Sequence, residues 1–208
     1  PNKEYPFGSL IYPMIKGNPL NIDSATNDQL QKIAKKIIEF NCEMHNSDIH
    51  WDREKSINHE CQKIEVAIKV LQNYLTKNEI TFLQDFFNEF KSYLNKKTNF
   101  CITHGDLWAE NLIVNKENEL VGIIDFESMS YLLPEVDYAS FWNMKDGFLD
   151  LLLEYSNEDV TIESVALFVL YREVSSFPYI IYEGEEEIEC QIQKIRDALK
   201  FNESKKKE

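Results

Sequence analysis

Basic residues are scarce in the second half of this 208-residue chain: positions 101–208 hold 9 Lys and Arg against 23 Asp and Glu, whereas positions 1–100 hold 13 of each. The whole formal charge of −14 therefore sits in that half. With a pI near 4.8, the chain lacks the basic face that neutralises phosphates, so nucleic acid is not an expected partner. No run of eighteen apolar residues occurs, and Pro1-Asn2-Lys3-Glu4 has neither region of a signal peptide. No membrane partner and a cytoplasmic location are the expectations. The four cysteines, at positions 42, 61, 101 and 190, form no CxxC pair and no zinc spacing, and they read as reduced, packed thiols. Six glycines build no GxGxxG and no P-loop string. Repeats and low-complexity tracts are missing too, apart from the acid run Glu183, Glu185, Glu186, Glu187, Glu189.

What is present suffices for a substantial core, since 43% of the residues are apolar and 12% aromatic. Ser9 to Ile15 reads as a short strand running into a linker, with Pro13 at its end. Helical spacing then takes over. Leu30, Ile33, Ala34, Ile37 and Ile38 share a face, with Thr26 or Asn27 as N-cap; Ile64, Ala67, Ile68 and Leu71 form a second stripe; Leu83, Phe86, Phe87, Phe90 and Leu94 form a third. The period changes at Phe100-Cys101-Ile102, and the runs Leu112-Ile113-Val114 and Leu120 to Ile124, joined by the polar turn Asn115–Glu119, predict a β-hairpin. Helical spacing resumes from Phe141 to Tyr155, Val165 to Tyr182 and Ile188 to Phe201.

Polar residues that interrupt the hairpin must be hydrogen-bonded or bind something to offset their desolvation. His104-Gly105-Asp106 precedes the hairpin, Asn111 opens it five residues after Asp106, and Asp125 closes it nineteen residues after Asp106. A hairpin brings its two ends together, so Asn111 and Asp125 meet. Oxygen ligands in that arrangement suit Mg²⁺ that keeps waters and is shared with a phosphate.

The strings His104-Gly105-Asp106-Leu107-x-x-x-Asn111 and Ile123-Ile124-Asp125-Phe126 resemble the catalytic loop and metal-binding aspartate of aminoglycoside phosphotransferases and related small-molecule kinases of protein-kinase-like fold. The hinge-like Ile15-Lys16-Gly17-Asn18-Pro19-Leu20 is most similar to the 2″-type enzymes. The resemblance implies an α+β fold: a protein-kinase-like large lobe, mostly helical, around a small catalytic β-hairpin. Residues 1–20 would be the end of the small lobe and the hinge, and 21–208 the helical C-terminal lobe. It further implies transfer of the γ-phosphate of ATP or GTP to a hydroxyl of a small, cationic, aminoglycoside-like acceptor.

By the same resemblance Asp106 is the general base and His104 braces its loop, Asn111 and Asp125 hold Mg²⁺, and Asp137 braces the loop backbone from a helix start. Tyr12, Pro13 and Ile15 face the nucleotide base. Glu127, Asp146, Glu183 and Glu186 are the carboxylates expected around the acceptor. The family's nucleotide lobe, with its phosphate loop and lysine, should precede the hinge, where this sequence has only about a dozen residues. Two alternatives follow: the large lobe of a longer kinase, or a truncated, non-catalytic kinase-like binding module. His45, His50 and His59 fit no ligand spacing and are expected at the surface or as caps.

Overall fold

The computed structural model describes residues 14–206. The strand expected over 9–15 falls almost wholly outside them, as do Tyr12 and Pro13.

Three long helices come first: α1 (Asn27–His45), α2 (Arg53–Leu71) and α3 (Lys77–Lys96). Thr26 caps α1 through a capping box with Gln29, Thr76 caps α3 in the same way with Glu79, and Asp52 caps α2. Each cap satisfies amides that the first turn leaves unpaired. The apolar stripes read from the sequence are the buried faces of these helices.

The chain then forms β2 (Cys101–Thr103), β3 (Leu112–Val114), β4 (Leu120–Ile123) and β5 (Ser130–Leu132), after β1 (Asn18–Pro19) near the start. Strand β3 pairs with β4 in the predicted hairpin, whose turn closes on Asn115: its Oδ1 accepts from the amides of Glu117 and Glu119. Two pairings went unread. β1 adds to β3 with Asn18 opposite Val114, and β2 pairs with β5 with Ile102 opposite Tyr131. Both involve strands of two or three residues, too short to show an alternation. Gly17 and Gly122 explain how the hinge segment lies so close: a β-carbon on Gly17 would come 2.5 Å from the Val114 carbonyl oxygen, and one on Gly122 would come 2.5 Å from Ile15 Cδ1. The Leu20 amide donates to the Leu112 carbonyl at 2.8 Å, which ties the end of this segment to the hairpin.

After the short α4 (Glu135–Ala139) come α5 (Phe148–Tyr155), α6 (Ile162–Ser175), α7 (Phe177–Ile180) and α8 (Glu185–Lys205). Phe141 and Trp142, expected in a helix, lie in turns, and the run from Val165 to Tyr182 is broken at Ser176, two residues before Pro178. The ring fixes Pro178 near the start of α7 and removes an amide that α6 would need to continue. α6 is buried on nearly all sides, packing on α2, α4 and α8, so it is the core helix. Phe90 of α3 is fully buried there, stacked on Tyr171 at 4.8 Å and edge-on to Phe168 at 5.2 Å.

Phe90→Ala removes that stack and leaves a cavity between α3 and α6. Urea denaturation should show a loss of about 3–5 kcal/mol with an unchanged slope; a loss under about 1 kcal/mol would mean that the site collapses freely and that the stack is not central.

Candidate active site

The loop His104–Asp106 is held by a single buried carboxylate. Asp137, in α4, accepts from the His104 amide through Oδ2 at 3.0 Å and from the Gly105 amide through Oδ1 at 2.7 Å. The two amides satisfy both oxygens of a carboxylate that is wholly buried. Gly105 has φ +79°, and a β-carbon there would lie 2.5 Å from the Ser128 carbonyl oxygen, so only glycine lets the loop pass. His104 is fully buried. Its Nδ1 accepts from the Asp106 amide at 3.3 Å, so Nε2 carries the proton and donates to the Ile124 carbonyl at 3.1 Å. One imidazole thus ties the catalytic loop to the residue before Asp125, and it packs on Phe126 at 4.7 Å between ring centres.

Asn111 donates from Nδ2 to the Asp106 carbonyl at 2.8 Å and to Asp106 Oδ2 at 3.2 Å, which leaves its own Oδ1 available as a ligand. The Asn111 carbonyl accepts from the Ile124 amide at 3.0 Å, closing the hairpin end and bringing the residue before Asp125 alongside Asn111. Asp125 has φ 65° and ψ 71°, a left-handed conformation that costs a non-glycine residue free energy. Its side chain is exposed. Among the described residues no cluster of three or more His, Cys, Asp or Glu forms a ready cage for a metal. One carboxylate and one amide oxygen are a donor set for Mg²⁺ that takes its remaining ligands from water and phosphate.

Two residues here escaped the sequence reading. Arg172 of α6 donates from Nη1 to the Gly105 carbonyl at 3.1 Å and to Ser140 Oγ, and from Nη2 to Asp106 Oδ1 at 3.3 Å. Its guanidinium lies 5.1 Å from the Trp108 ring centre. Each oxygen of Asp106 therefore has one protein partner and keeps lone pairs for a substrate hydroxyl. Nothing in the local pattern around Arg172 announces this, because the contact spans 66 positions. The second is His45, expected at the surface and instead buried between two carboxylates: Nε2 meets Asp137 Oδ2 at 3.0 Å and Nδ1 meets Glu158 Oε1 at 2.7 Å. Burial opposes its charge, but the hydrogen bonds and charges of Asp137 and Glu158 outweigh that and raise its pKa to about 9.

Asp106 opens on a cleft of about 820 Å³ between α2, the 127–131 segment and the α6–α7 corner. Glu127 lines it; Asp146, Glu183 and Glu186 do not. Glu183 precedes α8 and Glu186 stands in its first turn, where carboxylates stabilise the helix dipole, so the acid run has a structural use. Asp146 is exposed beside Gly147, the N-cap of α5. Ile15 packs on Gly122 of the hairpin, at the edge of the same region.

A catalytic loop braced from a helix, an asparagine five residues on and a left-handed aspartate after a hairpin define the large lobe of a kinase-like phosphotransferase. The chain belongs to the phosphotransferase enzyme family, whose model matches residues 1–167. Solved structures similar to it include the GDP and kanamycin complex of the aminoglycoside phosphotransferase APH(2″)-IIIa, at 20% identity and TM-score 0.70, with 90% of this chain and 69% of that one covered. The streptomycin–ATP complex of APH(2″)-IIa matches at 19% identity and TM-score 0.64, covering 91% of this chain and 70% of that one. LicA in complex with AMP matches at 19% identity and TM-score 0.64, covering 85% and 64%.

The His45 bridge makes stability depend on pH in a definite direction. Between about pH 6.5 and 9 the native state keeps a proton that the unfolded chain has released, so this contribution is complete below pH 6.5 and disappears as pH rises through 9. The loss should be on the order of 3 kcal/mol. Chemical denaturation at a series of pH values should show this decline in the parent and a flat profile in His45→Gln; parallel profiles would remove the proton from His45.

Proposed function

We propose that this chain is the catalytic lobe of a cytoplasmic phosphotransferase that moves the γ-phosphate of ATP or GTP to a hydroxyl of a small cationic acceptor. The observation that carries the reading is the position of Asp106, which lines the cleft while one of its carboxylate oxygens is held by Asn111 of the hairpin start. An acceptor hydroxyl in the cleft meets an Asp106 carboxylate whose two oxygens are fixed by Asn111 and Arg172, so the base is oriented before the substrate arrives. Asp106 would align the hydroxyl and accept its proton as the acceptor oxygen bonds to the γ-phosphorus and the bond from that phosphorus to the β,γ-bridging oxygen breaks, releasing ADP or GDP. Asn111 Oδ1 and Asp125 would hold Mg²⁺, which supplies neutralisation of the β- and γ-phosphates. Ile15, with Tyr12 and Pro13, would meet the nucleotide base.

Phosphate transfer from labelled ATP and GTP to a panel of amino alcohols and aminoglycosides, by the protein expressed from its complete reading frame, tests the reading. Asp106→Asn should leave nucleotide affinity nearly unchanged and cut turnover by about 10² or more. Asp125→Asn should raise the Mg²⁺ concentration needed for half-maximal turnover. Overlaying Mg²⁺ titrations would exclude Asp125 as a ligand, and equal loss of nucleotide affinity in Asp106→Asn would exclude the base.

A further inference from the structure

On the reading of the cleft as the acceptor site, its charges and its mouth say more about the acceptor than that it is cationic. Besides the imidazole of His59, counted as neutral, seven ionic side chains line it, four acidic and three basic. Each base is engaged by an acid of the same cleft: Lys55 Nζ with Asp52 at 3.4 Å, Lys63 Nζ with Glu60 at 2.9 Å, and Arg172 Nη2 with Asp106 at 3.3 Å. Glu60 is further held by the buried Tyr171 hydroxyl. The seventh group, Glu127, has no side-chain partner among the described residues. The cleft therefore carries one uncompensated negative charge. A molecule with several ammonium groups would have to break the internal pairs or set its excess charges against Lys55, Lys63 and Arg172, within the ~8 Å over which charges act at physiological salt.

The mouth is apolar. Trp51 before α2, Met129 before β5 and Tyr179 of α7 line it and remain 47%, 40% and 69% exposed. Large apolar side chains left in water around a polar floor are the informative kind of exposure, because they are free to cover an apolar body that enters between them. Aromatic rings do this well, adding stacking to burial.

We propose that the acceptor is a singly cationic, amphiphilic alcohol: its one ammonium group pairs with Glu127, its hydroxyl lies at Asp106, and its apolar body rests on Trp51, Met129 and Tyr179. A polycation would be selected against.

Three probes separate the possibilities in calorimetric and tryptophan-fluorescence titrations of the 208-residue chain without nucleotide: erythromycin, with one amine on an apolar ring; kanamycin, a polycation; and maltotriose, a neutral polyol. Erythromycin should bind at least about tenfold more tightly than either of the others. Glu127→Gln should weaken it about tenfold, and so should Trp51→Ala or Tyr179→Ala, with unchanged circular dichroism, since all three residues are exposed. Kanamycin binding more tightly than erythromycin, erythromycin affinity indifferent to these substitutions, or no binding of any probe would each overturn the proposal. Binding is read without phosphate transfer, so a cleft with this selectivity in a protein that moves no phosphate would overturn the phosphotransferase reading and leave the selectivity standing.

Discussion

Two oxygens of one buried carboxylate hold the catalytic loop in place. Asp137 takes the amides of His104 and Gly105, and no strand or helix offers those amides another partner. A buried carboxylate with only two amide donors would still be costly; His45 supplies the third contact and a positive charge, and Glu158 on the far side of the imidazole balances it. Tyr138 extends the network, its hydroxyl donating to Glu158 at 2.6 Å, and burial followed by that carboxylate pushes the phenol well above its ordinary range. Helix α1, the catalytic loop, α4 and the turn after α5 are thereby joined by a chain of hydrogen bonds around one proton. The loop residues 104–106 have an irregular backbone, which is possible because this network over-determines their positions.

The sequence made the frame of the site legible and left its supports obscure, for a physical reason. His104, Asp106, Asn111 and Asp125 lie within twenty-two residues, where a loop and a hairpin fix distances from spacing alone. The helices were legible because their stripes are long: Leu30 to Ile37, Ile64 to Leu71 and Leu83 to Leu94 each return to one face several times. Arg172 and His45 were not, because their partners are 66 and 92 positions away and nothing about the flanking residues encodes the meeting. The β2–β5 pairing failed to show for a related reason: three residues per strand, all of β2 buried, carry no alternation.

The acidity of the second half has uses inside the lobe, where its buried acids are engaged. Glu135 accepts from the Tyr93 hydroxyl at 2.6 Å, and its burial holds it above the usual carboxylate range. Glu173 accepts from Trp142 Nε1 at 3.1 Å and from Gln191 Nε2 at 2.9 Å. Glu185 to Glu187 stand at the start of α8. Net charge predicts the far field of a protein, but a site a few ångströms across responds to the pairs inside it. In the cleft those pairs nearly cancel.

Helix α6 connects the two scales. Three consecutive residues on it face three different parts of the lobe: the Tyr171 hydroxyl donates to Glu60 of α2, Arg172 grips Gly105 and Asp106, and Glu173 receives Gln191 of α8. Consecutive helical residues point about 100° apart, so one turn can reach a cleft wall, the catalytic loop and the outer helix at once only if the helix is surrounded, and α6 is. The wall of the cleft and the carboxylate that faces into it are therefore fixed to the same turn of backbone. Displacing Glu60 to admit a further ammonium group would disturb Tyr171 and, through the adjoining residue, the grip on Asp106. The ion pairs of the cleft wall and the orientation of the Asp106 carboxylate are in this way parts of one packed arrangement, because Tyr171 and Arg172 adjoin on the same turn of α6.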